Sequence, residues 1–165
     1  MDRALGYVDR LFMVGIAAAM ALVVIVTSAD VFGRYLLGHS LVFAGELSRL
    51  GFVWMSFLMM PLGVSRGLHV AITSPTDALP ETARRLVFRI GTALTILLMG
   101  VVFMGAWISI DARSYESLNT LPLTAAAFFW PLAIGSAWSI VHLTAQLLRG
   151  APPLRDLSEQ LESLP

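Results

Sequence analysis

Hydrophobic residues run along this chain in four long uncharged blocks, separated by short clusters of charge, glycine and proline. The blocks are residues 11–29, between Arg10 and Asp30; 50–65, between Arg49 and Arg66; 90–110, between Arg89 and Asp111; and 117–148, between Glu116 and Arg149. A helix needs about 20 apolar residues to cross roughly 30 Å of hydrocarbon. The pattern therefore predicts an all-α membrane protein of four transmembrane helices, with spans near 8–30, 46–66, 87–110 and 125–148. Together they form one domain over residues 1–150, followed by a short tail, 151–165. The second block is short, so its helix is expected to begin near Glu46 and to hold Arg49 at the interface, the guanidinium snorkelling toward headgroups. The fourth is long, so residues through Leu121 and Pro122 are expected to form a lead-in to a helix beginning near Ala125.

Local signals refine this outline. Thr27-Ser28-Ala29 loosely resembles a signal-peptide cleavage site, but the first block is longer than such a segment requires. Phe32 to Leu37 reads as a continuation of the same helix, from about Leu5 to about Leu37. Gly38-His39-Ser40 is the expected turn, and Leu41 to Gly45 is apolar enough to lie along the membrane surface. Pro61 falls late in the second helix, where neighbours can satisfy the freed carbonyl. Gly63 and Gly67 share a face that permits close helix approach. Ser74 to Asp77 and Leu79 to Glu81 read as turn and helix-start signals. The third helix is expected over about Arg85 to Ile110, with Trp107 as an interface anchor. Pro131 near the middle of the fourth predicts a kink. Leu154, Leu157, Leu161 and Leu164 form a helical stripe in the tail.

Composition agrees: 57% of the 165 residues are hydrophobic and 13% charged, with a mean hydropathy of +0.78. Soluble domains carry roughly 25% charged residues. The net charge of +0 gives no indication of nucleic acid. There is no lysine and no cysteine, which excludes amine and thiol nucleophiles, disulfides and thiolate metal sites. The arginines are unevenly placed: eight fall in the N-terminal segment, the 66–89 region and the tail, and three (Arg34, Arg49, Arg113) in the other two connections. By the positive-inside rule both termini and the middle loop are expected in the cytoplasm.

Four charges draw attention, Asp30, Arg34, Glu46 and Arg49, flanking the first helical hairpin. Asp30 and Arg34 stand four apart and Glu46 and Arg49 three apart, so each pair can meet within its own helix. Arg34 to Glu46 and Asp30 to Arg49 can equally pair across the hairpin. Charges this close to hydrocarbon persist when paired or functional, and a neutral clasp holding the hairpin is the expected role. His69 and His142 both fall toward the expected cytoplasmic side and raise haem ligation as an alternative. His142 can instead hydrogen-bond across helices. No nucleophile with its base, phosphate-cradling loop or intramembrane carboxylate dyad is present, so neither catalysis nor a cofactor is expected. Midspan positions are nearly all apolar or small, with Ser56, Thr92, Thr95 and Ser136 as hydroxyls, which suits an accessory role better than a solute path.

The same stretches carry a family resemblance. Val31 to Gly38, Gly45-Glu46-Leu47-Ser48-Arg49-Leu50 leading into Phe52-Val53-Trp54-Met55, and Arg66-Gly67-Leu68-His69-Val70 resemble the small membrane subunit, of DctQ type, of tripartite ATP-independent periplasmic (TRAP) transporters. Leu121-Pro122-Leu123 followed by Trp130 to Gly135 is similar as well, and the likeness covers most of residues 5–150. It implies a non-enzymatic subunit of the bacterial inner membrane. Its partners would be a large membrane subunit, driven by a sodium gradient, and a periplasmic solute-binding protein, with a small organic acid as cargo. In that picture Asp30, Arg34, Glu46 and Arg49 hold the hairpin or touch a partner, Trp54 packs within or beside the bundle, and His69 sits at the cytoplasmic rim. Ala71-Ile72-Thr73 departs from the family, which often has an acid shortly after that histidine. The competing readings are a self-sufficient small carrier or channel and a membrane anchor of a redox complex.

Overall fold

The computed structural model describes residues 2–65 and 81–149. Its architecture is all-α: α1 (Asp2–Leu36), α2 (Ala44–Ser65), α3 (Glu81–Ala112), a short 3-10 helix (Ala125–Phe128) and α4 (Trp130–Arg149). Each of the four α-helices contains a stretch long and apolar enough to cross a membrane. His69 and the leucine stripe of the tail lie outside the described residues, as does Gly67.

Helices dominate because a peptide group in hydrocarbon has no water to bond, and a helix satisfies nearly all such groups internally. At 35 residues and about 1.5 Å per residue, α1 is longer than the hydrocarbon layer is thick. It stops where Gly38 takes the left-handed conformation, φ 68°, open to glycine at no steric cost. The Gly33 carbonyl closes this end by accepting from the amides of Leu37 and His39, at 3.0 and 3.1 Å.

α2 and α4 form the inside of the bundle; α1 packs along α2 and α3 along α4. Burial follows the same order, with 44% of the most apolar stretch of α4 buried against 11% for α1 and for α3. Phe12, Leu58 and Leu62 are the core between the first two helices, flanked by Val8, Ile16, Trp54 and Trp138. On the α4 side the packing residues are small: Ser136 and Ser139 are fully buried, each hydroxyl donating back to a carbonyl of its own helix. That arrangement lets α4 present a slim polar-free surface to its neighbours.

The tightest contact pairs the two inner helices. Pro61 has no N–H, so the Phe57 carbonyl of α2 loses its usual intrahelical donor. Gly135 of α4 lies directly over that carbonyl, and a Cβ at this position would overlap the Phe57 oxygen and come within 3.8 Å of Pro61 Cδ. One Cα hydrogen of Gly135 points where that Cβ would stand, supplying a weak C–H···O contact. A helical proline on α2 and a glycine on α4 thus form one joint.

Pro131 overturns a sequence expectation. It lies in the first turn of α4, not near the middle of a kinked span: residues 125–128 coil as a 3-10 helix and the α-helix starts afresh at Trp130. Its missing N–H would be unbonded at that position in any helix, which is why proline suits it. Helix α3 likewise continues one turn past Trp107, to Ala112.

Gly135→Ala is expected to lower the thermal stability of the purified protein in detergent by about 1–3 kcal/mol, the range for overpacking a full site. Gly63→Ala, whose added methyl meets nothing within 4 Å, should not lower it.

Candidate functional site

The end of the bundle that carries the α1–α2 turn and the α3–α4 connection is held by two carboxylates, each surrounded by donors from a different segment. Asp30, six residues before the end of α1, accepts from the Arg34 guanidinium at 2.7 Å, the Ser40 hydroxyl at 2.9 Å and the Leu41 amide at 2.8 Å. The i,i+4 spacing brings Arg34 to it, and the left-handed turn at Gly38 swings Ser40 and Leu41 back over it. Asp30 therefore anchors the turn to the helix that precedes it.

Glu46 does the same for a more distant segment. It stands in the first turn of α2. Its Oε1 accepts from the Asn119 amide at 3.0 Å, while Oε2 accepts from the Thr120 amide at 2.9 Å and from the Thr120 hydroxyl. The α3–α4 connection can present those amides because it folds on itself: Ser117 pairs antiparallel with Thr124, and Leu118 and Ala125 donate to the carbonyls of Leu123 and Glu116. A carboxylate receiving amide hydrogens is among the stronger polar contacts in proteins. Trp54, two turns further along α2, donates its indole N–H to the Ala127 carbonyl of the 3-10 helix at 3.0 Å. Thr27 and Ser48 join α1 to α2 through their hydroxyls at 3.1 Å. Arg113 pairs with Glu116 at 3.1 Å and lies over the Phe129 ring, 5.5 Å from its centroid.

The four hairpin charges consequently do not form the clasp that their spacing allowed. Asp30 and Arg34 pair within α1, but neither Arg34 to Glu46 nor Asp30 to Arg49 nor Glu46 to Arg49 is an ion pair. Glu46 faces the loop amides instead, because several N–H groups left over by an irregular segment satisfy its two oxygens at once. Arg49 is exposed and, among the described residues, has no hydrogen-bond or ion-pair partner.

A second polar centre lies at the opposite end, and there His142 bonds across helices as expected, to an acceptor the sequence did not single out. Asp9 of α1 accepts from the Trp138 indole at 3.0 Å, and the same oxygen lies 2.9 Å from His142 Nε2. Phe12 stacks on Trp138, and Trp138 meets His142 edge-on. His142 is only 7% exposed. Gln146 completes this end by donating to the Val64 carbonyl of α2 at 3.0 Å. The spacing of four between Trp138 and His142 puts both on one face of α4; nothing marked Asp9 as their acceptor.

Chemically these centres bond helices and loops together. Among the described residues no group of three or more histidine and acidic side chains is placed to hold a metal, and the nitrogen that would make His142 a haem ligand is the one facing Asp9.

Comparison with known proteins places the chain among transporter subunits. The family described as "Tripartite ATP-independent periplasmic transporters, DctQ component" matches residues 22–152. The ectoine TRAP transporter small permease protein TeaB of Halomonas elongata is 33% identical over 99 residues, 58% of this chain and 51% of that protein, so the chain matches about half that relative's length. The sialic acid TRAP transporter small permease protein SiaQ of Vibrio cholerae is 26% identical over 122 residues, 73% of this chain and 70% of the relative. A putative TRAP transporter small permease protein of Haemophilus influenzae is 21% identical over 140 residues, 84% and 86% of the two chains.

Two outcomes are expected from this geometry. Glu46→Ala should speed hydrogen exchange at the Asn119 and Thr120 amides by roughly tenfold or more, since both lose a charged acceptor; Glu46→Gln should fall between. Asp9→Ala strands the Trp138 N–H and should lower stability by about 1–3 kcal/mol in a detergent melt. Asp9→Asn keeps an acceptor oxygen and should recover most of the loss.

Proposed function

Because the chain belongs to the DctQ component family of the tripartite ATP-independent periplasmic transporters, a transport component and not an enzyme, we propose that it braces the large membrane subunit of such an importer. The complex would take up a small organic acid with sodium, delivered by a periplasmic solute-binding protein. The observation that carries this reading is the way the polar groups are spent. Asp30, Glu46, Trp54 and Asp9 all bond other segments of the same chain, while the outer helices keep long apolar faces exposed, including Leu97, Val101, Met104 and Ile108 on α3. A stiff frame with greasy flanks suits a scaffold in lipid, against which another subunit can move. A carrier would instead need polar side chains lining a route through the bilayer; the midspan hydroxyls of Ser56, Thr95, Ser136 and Ser139 bond their own helices, and the hydroxyl of Thr92, buried without a hydrogen-bond partner, is enclosed within the bundle.

The arginine distribution supports placing both termini and the connection between α2 and α3 in the cytoplasm of a bacterial cell, so that the centre around Asp30 and Glu46 faces the periplasm. Arg34 and Glu46 then preserve the shape presented to the partners. The two named relatives are associated with ectoine and sialic acid; the solute of this chain's complex is a matter for its other subunits.

In proteoliposomes, this chain with its large subunit and binding protein should accumulate solute when a sodium gradient is imposed, and this chain alone should not. Arg34→Ala or Glu46→Ala should reduce recovery of the large subunit with this chain and abolish uptake. Uptake by the chain alone would refute the bracing role.

A further inference from the structure

Among the described arginines around the α1–α2 turn, Arg49 is the one without an ion-pair or hydrogen-bond partner. The end of the bundle around the α1–α2 turn carries three arginines. Arg34 has Asp30 at 2.7 Å and Arg113 has Glu116 at 3.1 Å, whereas Arg49 has no such partner among the described residues. The carboxylate nearest in sequence, Glu46, is occupied by Asn119 and Thr120. Arg49 stands in the second turn of α2, at the polar end of the candidate span Ala44–Val64, where its long side chain reaches the interface and its charge favours an anionic partner.

Its position on α2 says what it faces. Phe52, Ser56 and Met59 follow at intervals of three, four and three, so they share its side of the helix. All are exposed, Phe52 at 58% and Met59 at 60%. Ser56 adds no polarity, because its hydroxyl donates to the Phe52 carbonyl at 2.8 Å. The opposite side of α2 is packed, through Leu50, Leu58 and Leu62. The result is an apolar stripe about 15 Å long headed by one positive charge, on an inner helix of the bundle.

We propose that this stripe is a docking surface for a transmembrane helix of the large membrane subunit that bears a carboxylate at the level of Arg49. The inference rests on the function proposed above and adds the residue and the chemistry of the contact. A partner helix laid along α2 covers Phe52 and Met59 and brings its carboxylate to the guanidinium as a two-pronged pair. Removing water from the pair strengthens it and makes its loss more costly. The charge thus sets the register of a contact whose remainder is hydrocarbon. The competing occupant is a phospholipid, whose phosphate would meet Arg49 while its chains lie on the stripe.

The test is co-purification of the whole complex from membranes, with the large subunit co-expressed beside wild-type, Arg49→Lys, Arg49→Gln and Arg49→Glu forms of this chain. Arg49 is exposed and has no hydrogen-bond or ion-pair partner among the described residues, so each variant should elute as a single species with an unchanged melting temperature. The expected result is that Arg49→Gln and Arg49→Glu retain roughly tenfold less large subunit than wild type, with Arg49→Lys between. Recovery of the Arg49→Glu complex by a carboxylate-to-arginine exchange in the large subunit is the expected second arm. Equal retention by Arg49→Glu and wild type overturns the inference. So does a loss that follows the lipid instead, with Arg49→Gln retained normally once phosphatidylglycerol is added to the detergent. If wild-type chain itself fails to hold the large subunit, it is the bracing role that falls, and the inference with it.

Discussion

A backbone amide or carbonyl inside a membrane has to find its partner within the protein, and the architecture follows from how this chain meets that demand. Four helices satisfy it by their own geometry. Among the described residues, what remains are the places where helical order fails: the turn after Leu36, the carbonyl that Pro61 deprives of a donor, and the connection between α3 and α4. Each is dealt with by a specific residue from another segment. Asp30 takes the Leu41 amide, Gly135 covers the Phe57 carbonyl, and Glu46 takes the amides of Asn119 and Thr120. These repairs also tie the helices to one another.

The consequence is a bundle whose two ends are polar and knitted while its length is apolar and closely packed. At one end, the Asp30 and Glu46 centres link α1, α2 and the α3–α4 connection. At the other, Asp9 links α1 to α4, and Gln146 links α4 to α2. Between them α2 and α4 meet at the joint of Pro61 and Gly135. Bonds at both ends cross-link the helices, which suits the bracing role proposed above. Most of the polar residues serve the fold, and apolar surfaces of α1, α3 and one side of α2 stay exposed.

Much of this was legible beforehand where the rule is local. The four uncharged blocks gave the number of spans because crossing hydrocarbon demands a minimum apolar run whatever the tertiary contacts. The pairing of Asp30 with Arg34 was one of the two arrangements their spacing left open, since a helix itself brings i and i+4 together. The glycine at 38 marked the turn through its freedom at positive φ. Pro131 misled because a proline in an apolar run reads as a kink; only the 3-10 segment before it shows that a new helix begins there.

By itself, then, the sequence determined the class, the number of spans and the likeness to the small subunits of TRAP transporters, because hydropathy, helix geometry and short motifs act over a few residues. Tertiary structure alone decided the partners of its charges. Glu46 bonds residues 73 and 74 positions away, and Asp9 bonds residues 129 and 133 away. The amide hydrogens that capture a carboxylate belong to every residue and leave no mark in the letters, so which of them lies within reach is settled only when the helices pack.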